Sequence, residues 1–295
     1  MSGSAERIAV TGALGFVASH LFPRLASRNA RLIAVVRPAR DASRLERAGI
    51  EVRRADLNDP GTLAGVFDGV DTVIHLSGMA QAAGLRPALE ASGVRRGVFV
   101  SSAGVYTRLV SPGADRKRVG EAAIRESSIA YTILRPSMIY GTHADRNIAR
   151  LLRWVRAFPV VPVPGGGVTL QQPVHVEDLV DAIVNALDRP ESARREYDLG
   201  GPEALPLSQL IRICGDALGR RVFLLPIPLA PAFGAMRLLR LFRLPAPVRP
   251  EQILRLAESK AVDIGPARRD LGFAPRGLVE GIQIEVKDLP PRSRP

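Results

Sequence analysis

The first half of the chain alternates short β-branched apolar runs with amphipathic segments. The apolar runs predict strands at 8–10, 32–36, 51–54, 72–76, 98–101 and 132–134. The segments between them predict helices at 14–28, 41–48, 60–67, 85–92 and 116–127. Strands that alternate with helices form parallel sheets, because right-handed crossovers place the helices on both faces. We therefore predict an α/β fold, a Rossmann-type doubly wound parallel sheet.

Beyond Tyr140 the pattern is less regular. It predicts helices near 145–157, 171–187, 207–218, 229–243 and 249–258, with strands at 197–199 and 221–225. We predict two domains on this basis. A sheet domain spans 1–190, with 141–173 contributing partly to the side that faces a substrate, and a smaller, discontinuous domain spans 191–295.

Composition places the chain among ordinary globular proteins, with 46% hydrophobic and 24% charged residues. The single cysteine, Cys214, excludes a disulfide framework and favours a reducing compartment. The first residues show no secretory signal pattern, and the longest uncharged apolar run, 222–236, contains three prolines. We expect a cytoplasmic protein without a metal site.

The net charge of +12 comes almost entirely from arginine, since only 117, 260 and 287 are lysines. The arginines are scattered and lack interleaved aromatic residues, so we expect no nucleic-acid partner. Segment 226–245 is amphipathic and bounded by prolines. Peripheral contact with the inner face of the membrane, a pocket for a lipid-like substrate and an ordinary helix with one solvated face all remain open for this segment.

A glycine turn follows the first predicted strand and begins a predicted helix. Thr11, Gly12, Leu14, Gly15 and Phe16 form the pattern T-G-x-x-G-F. Glycines permit a tight turn and a close approach of backbone to a pyrophosphate, which a helix N-terminus attracts. This turn predicts a dinucleotide site.

Further candidate cofactor residues follow the next strands. Arg37, after the second strand, suits a 2′-phosphate, so NADP(H) is favoured and NAD(H) stays open. Asp56 and Leu57, after the third strand, are candidates to flank the adenine. Leu76, Ser77 and Gly78, at the end of the fourth, line the cleft, whereas we interpret His75 as structural.

Six motifs occur in order: T-G-x-x-G-F, D-L at 56–57, HLSG at 75–78, VFVSSAGVY at 98–106, LRPSMIYG at 134–141 and PVHVEDL at 173–179. Together they resemble the extended and atypical short-chain dehydrogenases/reductases, the NAD(P)-dependent epimerase/dehydratase family. The resemblance implies a Rossmann core, a small carboxyl-terminal substrate domain, and epimerisation, dehydration or carbonyl reduction. One similar branch, that of a complex I accessory subunit, binds NADPH without known turnover.

The resemblance also implies a catalytic Ser, Tyr and Lys. Ser102 and Lys117 match the first and the last, but Gly113 stands four residues before the lysine, where relatives carry the tyrosine. Tyr106 is a candidate replacement, and Tyr140 is a second. Lys117 retains a cofactor role through the ribose hydroxyls.

Two more cofactor contacts are implied at neighbouring strand ends, Ser101 beside Ser102 and Pro136 after the sixth strand. Two hypotheses follow. The first is an NAD(P)-dependent oxidoreductase or epimerase/dehydratase-like enzyme acting by hydride transfer on a small or lipid-linked carbonyl or hydroxyl compound. The second is a non-catalytic NADPH-binding protein with a structural, assembly or sensor role. The sequence predicts no oligomeric state.

Overall fold

The computed structural model describes residues 5–145, 147–228 and 258–290. Its strands are β1 (Glu6–Thr11), β2 (Ala30–Val36), β3 (Glu51–Arg54), β4 (Thr72–His75), β5 (Arg96–Val100), β6 (Ala130–Pro136), β7 (Ile139–Tyr140), β8 (Val160–Pro164), β9 (Leu170–Gln171), β10 (Val174–His175), β11 (Arg195–Leu199), β12 (Leu205–Pro206) and β13 (Phe223–Ile227). Its helices are α1 (Phe16–Ala26), α2 (Ser43–Arg47), α3 (Ala82–Ala91), α4 (Pro112–Arg125), α5 (Ile148–Ala157), α6 (Val176–Asp188), α7 (Leu207–Ala217), α8 (Gly265–Leu271) and α9 (Leu278–Asp288). Short 3-10 turns occur at Pro60–Thr62, Met79–Gln81, Ala103–Tyr106, Gly165–Gly167 and Pro190–Ser192.

The main sheet has the strand order β11-β6-β5-β4-β1-β2-β3, and neighbouring strands pair in parallel. This confirms the predicted Rossmann-type fold. The order reverses between β1 and β4, and open α/β sheets bind their ligands in the crevice at such a switch point. The glycine turn after β1 and the loop after β4 meet there.

Each face of the sheet buries a separate apolar core, because successive side chains of a strand point to opposite faces. On β1, Ile8 and Val10 pack with the helices α1 and α6, and Ala9 packs toward α3. Both cores are almost completely buried. The two helical layers therefore hold the strand ends, and the loops that follow them, in place.

The described residues of the carboxyl-terminal part form a smaller lobe, in which three two-stranded sheets and three helices pack together. The sheets pair β7 with β10, β8 with β13 and, antiparallel, β9 with β12. Helices α5, α7 and α9 enclose an apolar core that contains Leu152, Leu210 and Ile282. Helix α5 and strand β8 of this lobe come from 147–175, which belongs to the first predicted domain.

Three details differ from the predictions or lie beyond the described residues. Strand β11 lies beyond residue 190, so the sheet crosses the predicted domain boundary there. The predicted helix 60–67 is wrong: Pro60–Thr62 forms a 3-10 turn, and Gly65, inside the predicted helix, adopts a positive φ angle that ends regular helix. The predicted helices 229–243 and 249–258 and most of segment 226–245 lie outside the described residues.

Candidate cofactor and active site

The glycine turn between β1 and α1 is held tightly against the loop after β4. Gly12 has a φ of +70°, and a Cβ built on it lies 2.8 Å from the backbone nitrogen of Ser77. The amide of Gly15 donates to the Gly12 carbonyl at 2.8 Å, and α1 begins at Phe16. Among the described residues no side chain caps α1, and its first turn has no acid. Its first amides therefore suit a pyrophosphate.

A buried histidine fixes the loop that faces this turn. His75 Nε2 lies 3.0 Å from the Gly78 carbonyl, and His75 Nδ1 lies 2.8 Å from the Thr11 hydroxyl. A carbonyl only accepts, so Nε2 carries the proton and Thr11 donates to Nδ1. Burial lowers the pKa of His75 to about 4, so the ring is neutral. The Thr11 side chain thus lies behind the cleft rather than in it.

A cleft of about 370 Å³ opens at the switch point. The predicted residues on its wall are Gly12, Leu14, Gly15, Arg37, Asp56, Leu57, Leu76 and Ser77. Arg40 and Gln81 lie on the same wall, and nothing in the sequence pattern singled out Gln81. A larger groove of about 750 Å³ shares Leu14 and Gly15 with this cleft and runs between α1 and α2, away from Ser102.

Two arginine side chains lie on the wall of the cleft, in the loop after β2. Arg37 and Arg40 line it, and the Arg54 guanidinium donates to the carbonyls of Pro38 at 3.1 Å and Arg40 at 2.7 Å. Arg54 therefore holds the loop that carries the other two. Across the cleft, Asp56 Oδ1 accepts from the backbone and side-chain nitrogens of Asn58, each at 3.0 Å. Two exposed guanidinium groups near one turn suit a phosphate.

Phe16 and Gly78 flank the glycine turn and the loop after β4. The Phe16 ring packs edge-on against His20, with centroids 5.3 Å apart. Gly78 has a φ of +131° and receives the His75 hydrogen bond. Both residues shape the crevice without lining the 370 Å³ cleft itself.

Ser102 and Lys117 converge at the other end of the crevice, beyond β5. The Ser102 hydroxyl oxygen accepts from the Gly104 amide at 3.0 Å. A Cβ built on Gly104 lies 3.1 Å from that oxygen and 3.8 Å from the Lys117 Nζ atom. Both groups therefore lie around Gly104, as the family pattern implies.

The packing of α4 determines where Lys117 lies. Ser111 caps the helix by accepting from the Ala114 amide at 3.4 Å, and Pro112 occupies its first turn. A Cβ built on Gly120 lies 1.9 Å from the carbonyl oxygen of Met79. Only glycine allows this approach, so α4 rests directly on the turn that follows the cleft-lining loop. Sequence reasoning missed Gly120, because its partner is distant in the chain.

Gly113 leaves open space one turn before Lys117. A Cβ built on it has no described atom within 4 Å. Residues i and i+4 of a helix share a face, so this space lies on the side of α4 that carries Lys117. The chain thus keeps two of the three family groups, with room where the third stands.

Tyr106 is engaged elsewhere. Its side chain is about half exposed, its hydroxyl donates to Asp198 at 2.9 Å, and it accepts from Arg135 Nη1 at 3.1 Å. Burial, together with the hydrogen bond to Asp198, raises the pKa of the Tyr106 phenol to about 12. The phenol therefore stays protonated near neutral pH, and its proton points at Asp198.

A buried polar network supports Tyr106 from beneath. Arg135 donates to both carboxylate oxygens of Glu121, at 2.9 and 2.7 Å, and also binds Glu196. The Ser101 hydroxyl donates to Glu121 at 2.6 Å. Ser101 therefore faces α4 with its hydroxyl, and Pro136, which ends β6, is buried beside the network.

Tyr140, the second candidate replacement, lies in the core of the smaller lobe. It is almost completely buried, packs edge-on against His175 with centroids 5.2 Å apart, and contacts α9 at Gly281. Burial raises its pKa well above the usual value. His175 caps α6 by accepting from the Glu177 amide, and burial lowers its pKa to about 4. This pair is a packing element.

The described residues contain neither a candidate metal site nor a candidate membrane span. No group of three or more His, Cys, Asp or Glu side chains is placed to hold a metal ion. No described helix combines the length and the apolar character needed to span a bilayer.

A family model described as NAD(P)H-binding matches residues 12–190, more than half of the chain. The match begins at the glycine turn and includes Ser102 and Lys117. The chain belongs to this NAD(P)H-binding family. Its cofactor is therefore a nicotinamide dinucleotide, as predicted.

The chain is similar to named proteins and to a solved structure. It is 29% identical over 277 residues to the NADH dehydrogenase 1 alpha subcomplex subunit 9 of Arabidopsis thaliana, covering 86% of this chain and 68% of that protein. It is 27% identical to an NAD(P)H azoreductase of Xenophilus azovorans, covering 78% and 80%. The fold matches triphenylmethane reductase of Citrobacter, solved with NADP(H), with a TM-score of 0.78 at 23% identity, covering 96% and 100%. The predicted resemblance is confirmed.

Proposed function

We propose that the protein is an NADP(H)-dependent reductase that acts by hydride transfer on a small or lipid-linked, electron-poor carbonyl compound such as a quinone. The observation that supports it is the open position at Gly113 beside an intact Ser102 and Lys117. In this proposal Ser102 donates its hydroxyl to the substrate oxygen, and the Lys117 ammonium donates to ribose hydroxyls of the cofactor. Bound NADPH supplies the hydride.

The missing phenol selects the kind of substrate. An ordinary aldehyde or ketone needs a proton donor as the hydride arrives, and a positioned donor contributes about a hundredfold or more. A conjugated acceptor spreads the new negative charge and takes its proton from water. Epimerisation and dehydration need a base near neutral pH, and Tyr106, with a pKa of about 12, is a poor one. A reductase is therefore favoured over an epimerase.

A second candidate is a cofactor-holding protein without turnover. The same open position at Gly113 favours it, together with the similarity to a subunit of NADH dehydrogenase. Preference for NADP(H) rests in either case on Arg37 and Arg40, which line the cleft.

The test follows NADPH absorbance with the purified protein and a panel containing a quinone, an azo dye, an aldehyde and a UDP-sugar. We expect turnover with the quinone. Ser102→Ala should lower it about tenfold, since a hydrogen bond to a charged oxygen is lost. Lys117→Ala should weaken NADPH binding, whereas Lys287→Ala, at an exposed lysine of α9, should change neither property.

Restoring the missing group separates the two candidates further. Gly113→Tyr places a phenol four residues before Lys117 and should raise aldehyde turnover. Gly84→Tyr is the matched control, because Gly84 also lies in a helix, α3, with no described atom near a built Cβ. If the protein binds NADPH but never consumes it, and Ser102→Ala has no effect with any acceptor, the second candidate is supported and the first is contradicted.

A further inference from the structure

The smaller lobe exposes a contiguous set of large apolar side chains, here called the aromatic face: Trp154, Phe158, Val160, Phe223 and Leu225. The rings of Trp154 and Phe158 have centroids 5.0 Å apart. Phe223 pairs with Val160 across the parallel β8–β13 ladder and is 66% exposed. Single exposed apolar residues are ordinary, but a contiguous set marks an interaction surface.

The strand register places these side chains outward. In β8 and β13, Val161 and Leu224 pack into the lobe core, and their neighbours Val160 and Phe223 point to the opposite side. The Trp154 indole nitrogen donates to the Val160 carbonyl at 3.1 Å. Its polar atom is thus bonded within the protein, and the ring is left to face outward.

Exposed arginines lie close to the aromatic face along the chain. Arg150 and Arg153 are exposed on α5, four residues and one residue before Trp154, and Arg221 is exposed two residues before Phe223. In the sequence, 146–176 contains four arginines and 217–250 contains six, and neither stretch contains an Asp or Glu. These two stretches carry most of the net charge of +12.

We propose that the aromatic face binds the surface of an anionic phospholipid bilayer. Tryptophan and phenylalanine partition into the headgroup region, and nearby arginines bind lipid phosphates. A second copy is a poorer occupant, because two such faces bring like charges together with no carboxylate from either stretch. The surface consists of described residues and differs from the predicted contact through 226–245.

Trp154 is the only tryptophan in the sequence, so its emission reports directly on this face. The full chain is mixed with phosphatidylcholine vesicles, or with vesicles containing about one third phosphatidylglycerol. We expect a blue shift of emission and co-sedimentation with the anionic vesicles alone. The double variant Phe158→Ser/Phe223→Ser should lose both signals. Arg150→Gln/Arg221→Gln should weaken binding about fivefold for each charge removed.

The matched control is Val279→Ser/Ile284→Ser, which removes two exposed apolar side chains from α9 and should leave binding unchanged. NADPH binding by every variant checks that the fold is intact. The proposal is overturned if anionic vesicles change neither the tryptophan emission nor the sedimentation of the protein, or if Phe158→Ser/Phe223→Ser still binds them. A blue shift that depends on protein concentration without lipid instead assigns the face to a second copy.

Discussion

The two ends of the cofactor crevice are built from different parts of the chain. At the glycine-turn end, formed by 11–16 and 76–78, the backbone of Gly12 contacts the backbone of Ser77 directly. At the serine–lysine end, formed by Ser102 and Lys117, side chains from a turn and a helix converge. A site made of backbone tolerates few residue types. A site made of side chains can lose one group, as at Gly113, and keep its shape.

The largest expected effect tests the backbone contact. Gly12→Ala should weaken NADPH binding by between about tenfold and a hundredfold, because its Cβ would overlap the backbone of Ser77. Gly93→Ala is the matched control, since Gly93 has nearly the same φ, +71°, with no described atom near a built Cβ. Both variants carry the cost of alanine at positive φ, about 1–2 kcal/mol. Equal NADPH dissociation constants, measured by titration, would contradict the comparison.

A second prediction concerns the buried histidine behind the same end. The pKa of His75 is lowered to about 4, so the unfolded chain binds the proton more readily. The contribution of His75 to the unfolding free energy is therefore complete at pH values above the ordinary histidine pKa. It is lost as the pH falls through the folded-state pKa of about 4. The slope of the unfolding free energy should reach at most about 1.4 kcal/mol per pH unit from this group.

His75→Gln should flatten that slope, because glutamine can still donate to Gly78 but does not titrate. Denaturant unfolding between about pH 7 and pH 4 measures it. Thr11→Ser keeps both the hydroxyl and the titrating ring and should retain the slope of the unaltered protein. A slope unchanged in His75→Gln would place the acid sensitivity elsewhere, for example at His175.

The smallest expected effect concerns Arg37, a side chain on the wall of the cleft at the glycine-turn end. Arg37→Ala should weaken NADPH about tenfold relative to NADH, since a charged hydrogen bond to the 2′-phosphate is lost. Arg47→Ala removes an exposed arginine of α2 that does not line the cleft. It should leave the ratio of the two dissociation constants unchanged. Loss of affinity for both cofactors alike in Arg37→Ala would assign Arg37 to the fold instead.

Local patterns predicted the sheet well, because its signals are local. The predicted strand 51–54 coincides with β3, and 32–36 lies within β2. Glycine spacing predicted the turn at Gly12 for the same reason. The predicted helix 60–67 was wrong because Gly65, in its second half, adopts a positive φ angle.

The features that sequence reasoning missed depend on partners far apart in the chain. The Cβ-free contact of Gly120 with Met79 and the binding of Arg135 to Glu121 and Glu196 leave no periodic signal. Likewise, nothing local indicates that the Tyr106 hydroxyl meets Asp198, 92 residues away. Tertiary packing determines these contacts, and it has no signature in a local stretch of sequence.

The contact at Gly120 has a mechanical consequence for the crevice. Side chains that line a crevice can change rotamer and let its walls move closer. Here Gly120, on the helix that carries Lys117, is already packed against the carbonyl oxygen of Met79. The helix cannot move closer to that turn, so the contact acts as a hard stop. The serine–lysine end of the crevice therefore has a fixed minimum width.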